Sequence, residues 1–269
     1  MKDRLRPHRE PPRCALVTGA TGGIGEAFVR EMPLATDLVL TGRDAARLAE
    51  YEAEFGTRVR TVVADLATPD GIDAVARAAE EAGCDLLVNN AGVGAVGNFL
   101  DVDWARHQAT IRVDVEAVLA LTHRLLPGMI GRAQESGTRA GLINVASSTA
   151  FVPVPTFATY AAAKAMILSF TEALVAELDG RPVDVLAACP GAVRTGFGTR
   201  AGYTGTAIPG AMSPEKVARQ SLAALGRQST VMIGPVSAAA LAPVALARSM
   251  VGQAFMRAGR VMDRVQNRD

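Results

Sequence analysis

Tyr160 and Lys164 stand four residues apart within Phe157 to Leu178, a stretch whose pattern predicts a helix, so both side chains leave the same face. A phenol and an amine held together can exchange a proton with a substrate oxygen. A free tyrosine titrates near pH 10, and bringing it near neutrality takes roughly 4 kcal/mol. One ammonium about 4 Å away, at an effective dielectric near 20, supplies energy of that order, which makes Lys164 a sufficient activator of Tyr160. Such a pair also occurs on ordinary surface helices, so its meaning depends on what surrounds it.

A second motif surrounds it with a phosphate chemistry. Thr18 to Gly25 reads TGATGGIG between an expected strand and an expected helix. That context turns a glycine cluster into a dinucleotide-binding loop. Gly19 permits the sharp turn out of the strand, Gly23 lets backbone N–H groups approach a pyrophosphate at the positive end of the helix, and Gly25 permits close helix–strand packing. Thr21 and Ile24 of the same loop are counted with them as cofactor-binding positions. About 20 residues beyond the glycines, where an NAD-preferring protein places an acid, the chain has Thr41-Gly42-Arg43. The Arg43 guanidinium suits a 2′-phosphate, which makes NADP(H) the preferred cofactor, with NAD(H) the alternative because Asp44 can reach a ribose. Asp44 otherwise reads as the cap of its own helix.

The elements that must position these residues alternate along the chain. Short apolar runs at Cys14–Thr18, Asp37–Thr41, Arg58–Ala64, Cys84–Val88, Leu142–Ala146, Val183–Ala188 and Val231–Gly234 predict strands. Gly23–Met32 and Asp44–Glu54 are the first two of the helical patterns between them. Continuously apolar strands separated by helix-length segments imply a parallel sheet covered on both faces, an α/β doubly wound Rossmann-type fold of about seven strands in a single domain. Expected boundaries are a basic tail over 1–12, a dinucleotide-binding catalytic domain over 13–235 and a helical extension over 236–269. Arg194–Met212, rich in Gly and Thr, reads as a mobile loop and equally as a substrate lid or a plain connection.

With Asp65, NNAG at Asn89–Gly92, Ser147 and Pro190-Gly191 added, the order TGATGGIG, Asp65, NNAG, Ser147, Tyr160-Ala-Ala-Ala-Lys164, Pro-Gly resembles the compact form of the short-chain dehydrogenase/reductase family over roughly residues 12 to 235. The resemblance implies that Tyr160 transfers the substrate proton. Lys164 lowers its pKa and holds the nicotinamide ribose, and Ser147, thirteen residues before Tyr160, polarises the carbonyl. It further implies that Asp65 and Leu66 meet the adenine, Asn90 the adenosine side, and Val193 and Thr195 the carboxamide. Counted without gaps from NNAG, the family's catalytic asparagine falls on Asp114 in IRVDVEAV. An aspartate can keep that residue's water relay, but when ionised it partly neutralises Lys164 and weakens its effect on Tyr160.

Composition narrows the alternatives. The 28 Lys+Arg nearly cancel the 27 Asp+Glu, and aromatics are 4%, which argues against nucleic acid. Cys14, Cys84 and Cys189 form neither a CxxC nor an even set, so neither a disulfide framework nor a metal site is expected and a reducing cytoplasm fits. Val231 to Met256 is apolar but broken by Pro235, Pro243, Arg248 and Gln253, which favours a strand and an amphipathic helix over peripheral membrane contact. The expected function is NADPH-dependent reduction of a ketone or aldehyde, or the reverse alcohol oxidation. The alternative is a catalytically weak or inactive NADP(H)-binding regulatory protein. An extended-type epimerase or dehydratase would need another glycine spacing and a larger substrate domain. Family members are commonly dimers or tetramers, so a homodimer or homotetramer is expected by resemblance.

Overall fold

A computed structural model of the chain describes residues 10–203, 210–234, 239–241, 243–244 and 247–248. Most of the basic tail expected over 1–12, and most of the extension expected over 236–269, lie outside the described residues.

Seven strands, β1 (Cys14–Thr18), β2 (Asp37–Gly42), β3 (Val59–Val63), β4 (Leu86–Asn89), β5 (Ala140–Val145), β6 (Val183–Pro190) and β7 (Thr230–Ile233), form one sheet in the order β3-β2-β1-β4-β5-β6-β7. All pairings are parallel, with Leu16 beside Val39 on one side and Leu87 on the other. β1, β4, β5 and β6 are buried along their whole length, which is why they read as unbroken apolar runs.

The alternate residues of each strand feed two cores. Ala15, Val17, Leu38 and Leu40 pack under α1 (Gly23–Glu31), α2 (Ala45–Phe55) and α8 (Pro214–Ala224), against Phe28, Leu48, Tyr51 and Val217. Leu16, Val39, Leu87 and Leu142 face the other way, against Val75 and Ala79 of α3 (Pro69–Glu81) and Leu121, Leu125 and Met129 of α5 (Ala117–Ser136). Asp44 lies just outside α2 as its cap, accepting from the Arg47 N–H at 3.0 Å, while Thr68 with Pro69 and Ser213 with Pro214 start α3 and α8.

Strand order reverses direction between β1 and β4, so a crevice opens at the carboxyl ends of those strands. Three segments depart from the expected elements, the first at the amino ends of β1 and β4, opposite the crevice. Cys84 and Asp85 stay outside β4: the Cys84 N–H bonds back to Ala79 at 3.0 Å, and the Asp85 side chain accepts from the Arg13 and Cys14 N–H groups. Between α4 (Trp104–Ile111) and α5, residues Arg112–Glu116 form a π turn. The Arg194–Met212 segment is tied at its base, with Arg194 N–H to Met212 C=O at 2.8 Å, and contains a short helix, α7 (Phe197–Ala201). That helix is fixed to neighbouring chain by Val96 N–H to Ala201 C=O at 3.0 Å and by the Arg106 guanidinium to Arg200 C=O at 3.1 Å. No helix among the described residues is long and apolar enough to cross a membrane.

Candidate active site

The crevice is a cavity of about 1110 Å³. Its floor at one end is the glycine loop. Gly19 turns out of β1 with φ +65°, and an added Cβ there would stand 2.8 Å from the Ala91 Cα. At Gly25 a Cβ would meet the Gly19 carbonyl oxygen at 2.0 Å and Asn90 Nδ2 at 2.7 Å, so α1 and the loop approach as closely as backbone allows. Asn90 shapes this floor as well as lining it: its amide donates to Thr18 C=O at 2.9 Å, and its N–H donates to the Thr18 hydroxyl at 2.9 Å. Thr18 also accepts from Ala91 N–H at 3.0 Å, a bracing role that sequence reading did not assign. Thr21 packs against the end of β2, where a Cβ at Gly42 would lie 2.5 Å from its methyl carbon.

Arg43, Asp44, Asp65 and the buried Leu66 line the cavity beside Thr41 and Gly42. Asp44 already uses one carboxylate oxygen in its cap, and Asp65 accepts from Ala67 N–H at 2.9 Å in a turn. Arg43 makes no ion pair among the described residues. On the facing wall, Val193 bridges to Met212, Thr195 accepts from Phe197 N–H at 3.2 Å, and the Thr195 methyl would meet a Cβ on Gly23 at 3.0 Å. Gly19, Thr21, Gly23, Ile24, Asn90, Val193 and Thr195 thus surround one groove, with Gly25 beneath it. An extended dinucleotide fits its donor set, with backbone N–H groups at the start of α1, a free guanidinium at one end and hydroxyls at the other.

Tyr160 and Lys164 occupy the first two turns of α6 (Ala158–Glu177), and Ser147 follows β5 as the cap of a short 3₁₀ turn over Ser148–Phe151. Ser147 accepts from Thr149 N–H at 3.2 Å and lines the cavity together with Tyr160. The Lys164 ammonium lies 5.7 Å from the centre of the Tyr160 ring and donates to the Val145 carbonyl at 3.0 Å. The π turn brings Asp114 to the same place. Its Oδ2 stands 3.1 Å from Lys164 Nζ, and its Oδ1 accepts from Val93 N–H at 2.7 Å. Gly92 lets backbone in beside them, since a Cβ there would lie 3.1 Å from Asp114 Oδ2.

Asp114 is fully buried and Lys164 nearly so. Burial pushes the Asp114 carboxyl up, against the pull of the Lys164 ammonium and the Val93 N–H. Burial disfavours the Lys164 charge, but Asp114 and then Tyr160 outweigh it and hold the ammonium above its ordinary range. The Tyr160 hydroxyl is pushed up by burial. Lys164 and Ser147 oppose that shift and Asp114 adds to it. Lys164 thus acts on Tyr160 in the expected direction, the Asp114 carboxylate weakens that effect as its charge implies, and burial of the phenol acts against it.

Aromatic walls complete the cavity around Tyr160. The Phe197 ring centre is 5.2 Å from that of Tyr160 and the Phe157 centre 6.2 Å, with Tyr203 nearby. None of these was singled out from sequence. Phe157, three residues before Tyr160 at the start of the same helix, was detectable by spacing, whereas Phe197 and Tyr203 lie in a segment without periodicity. Behind this wall His107 accepts or donates at 2.8 Å to the hydroxyl of Thr159, the residue before Tyr160.

The family model for short chain dehydrogenases matches residues 13–203. Sulfoacetaldehyde reductase 2 of Chromohalobacter salexigens is 36% identical over 188 residues, 68% of this chain and 73% of that protein. Among solved structures, a short-chain dehydrogenase from Sphingobium yanoikuyae in complex with NADPH superposes with a TM-score of 0.75 at 29% identity, covering 90% of this chain and 95% of that one. The 3-ketoacyl-(acyl-carrier-protein) reductase of Brucella melitensis, complexed with NADH, gives 0.71 at 26% identity, covering 84% and 97%. The chain belongs to the short-chain dehydrogenase/reductase family, oxidoreductases acting on the CH–OH group with a nicotinamide cofactor.

Proposed function

We propose that the protein is an NADPH-dependent reductase of a ketone or aldehyde, working in reverse as an alcohol dehydrogenase, with Tyr160 as its general acid and base. The observation that carries this is the meeting of Ser147, Tyr160 and Lys164 at one end of a groove whose other end is the glycine loop. A bound nicotinamide supplies hydride to the carbonyl carbon. Ser147 donates a hydrogen bond to the carbonyl oxygen, and Tyr160 delivers the proton that oxygen gains; in the oxidation both transfers reverse. Lys164 stabilises the tyrosinate left behind, and Asp114 keeps Lys164 charged while serving in place of the family's asparagine as the inner end of a proton relay.

Arg43 would hold the 2′-phosphate of NADPH, and Asp65, Leu66, Asn90, Val193 and Thr195 would hold its adenosine and carboxamide ends. The aromatic walls suit a moderately apolar substrate. The exposed Trp104, Ile111 and Met166 on α4 and α6 support a homodimer or homotetramer. The test is NADPH oxidation over a panel of ketones, aldehydes and acyl thioesters, with NADH alongside. Turnover with NADPH favoured is expected; equal use of NADH sinks the assignment of Arg43. Arg43→Ala should weaken NADPH about tenfold or more and leave NADH nearly unchanged.

The Lys164–Asp114 pair, by drawing the ammonium's charge away from Tyr160, also favours a second reading, a cofactor-binding protein with little turnover. Tight NADPH binding with no oxidation on the whole panel would select it.

A further inference from the structure

The glycine loop contains no cation: TGATGGIG offers a dinucleotide's diphosphate only backbone N–H groups and the partial charge of a helix start. Across the groove, Thr195 closes on Gly23. The next residue, Gly196, has the Arg200 guanidinium folded against it, so that a Cβ on Gly196 would stand 2.5 Å from Arg200 Nη1. Arg200 lines the same cavity. Its guanidinium makes no ion pair among the described residues, and its backbone is held in place because its carbonyl accepts from Arg106 at 3.1 Å. The other guanidinium on this wall, Arg194, donates to the Ala211 carbonyl. From Val145 to Ala211 the cavity lining contains Lys164, Arg194 and Arg200 and no carboxylate.

We infer that Arg200 is the cation that clamps the diphosphate of the bound dinucleotide against the glycine loop from the α7 side, a role that presupposes the dinucleotide site proposed above. A guanidinium forks onto phosphate oxygens, so the contact also holds α7 over the cavity when cofactor is present.

Fluorescence titration of the full chain tests this with NADPH, NADH and adenosine 2′-phosphate, the last lacking any diphosphate. Arg200→Gln should weaken both dinucleotides about tenfold or more, flatten the salt dependence of their binding and leave adenosine 2′-phosphate unchanged; Arg200→Lys should restore part of the loss. Arg200 is exposed, and an unchanged circular dichroism melt shows that the variant is folded. Dinucleotide affinities within twofold of the parent, or an equal loss for adenosine 2′-phosphate, overturn the clamp. So does an unchanged dinucleotide affinity with a raised KM for an anionic carbonyl substrate, which would give Arg200 to the substrate instead. If the parent protein binds neither dinucleotide, the cofactor reading itself fails and the clamp with it.

Discussion

Two buried carboxylates sit at opposite ends of the same strands and are used differently. At the start of β5 and β6, Asp184 receives Arg139 at 2.9 Å, and the same guanidinium donates to the Val183 carbonyl at 2.8 Å. Beyond the ends of those strands Asp114 pairs with the Lys164 ammonium at 3.1 Å, and Lys164 donates to the Val145 carbonyl. The Arg139 side chain is 34% exposed, whereas those of Lys164 and Asp114 are 5% and 0%. The first pair is a clamp wetted on one side, far from the cavity. The second is sealed except toward the cavity, so each charge must be answered by its neighbours, and any change in one shifts the protonation of the other and of Tyr160.

The largest effect belongs to the cavity end without involving either pair. Tyr160→Phe should lower turnover by about 10²–10⁴-fold while leaving the urea midpoint within experimental scatter, because only a hydroxyl is removed. A variant that keeps most of its turnover would remove Tyr160 from the chemistry.

Lys164→Met then breaks the sealed pair. Asp114 is left buried without its cation, so a loss of about 3–5 kcal/mol in stability should accompany the loss of turnover. Denaturant unfolding near neutral pH measures it; a loss well under 1 kcal/mol would mean that Asp114 is carried as a neutral acid and that the pair is not ionic.

Asp184→Ala breaks the wetted pair. Arg139 keeps its backbone carbonyl and water, so the expected destabilisation is smaller, about 1–3 kcal/mol, with turnover per folded molecule unchanged. A fall in turnover beyond that explained by unfolded protein would show that the two ends of β5 and β6 are coupled.

How much of this was readable in advance follows the same division. β1 was legible to the residue because an apolar run sits between turn-formers, and the glycine loop because its spacing carries its geometry. β4 was placed two residues early, since composition cannot reveal that Cys84 still belongs to the hydrogen bonding of α3. α7 has only weak local marks, Thr195 accepting from Phe197 N–H at its start and Gly202 at its end, and no periodic face; its five residues are held by Val96 and Arg106, contacts distant in sequence. The departure at Asp114 was visible by counting from NNAG, but its pairing with Lys164 depends on a π turn that no apolar pattern announces.

Asp114→Asn is the smallest and most discriminating change. It keeps shape and the acceptor for Val93 N–H but removes the charge that faces Lys164. The groups near this carboxylate are Lys164 and Tyr160 on α6 and the Val93 N–H of the segment after β4, with Ser147 behind Tyr160. Removing Asp114 takes away its direct upward push on Tyr160 and also the largest influence holding the buried Lys164 charged; with Tyr160 and the Val145 carbonyl still beside the ammonium, Lys164 stays charged and the Tyr160 titration moves down. Tyrosinate, the base for alcohol oxidation, then forms at lower pH, so the rising limb of the oxidation profile shifts to lower pH. Carbonyl reduction, which needs the protonated phenol, loses its alkaline limb at lower pH too. Turnover at the optimum should stay within about tenfold of the parent, with stability changed little or improved. Limbs that move to higher pH would show that Lys164 loses its charge together with Asp114, so that holding the ammonium is the larger of the carboxylate's two effects, and a loss as deep as that of Tyr160→Phe would show that the carboxylate itself carries a proton the asparagine cannot.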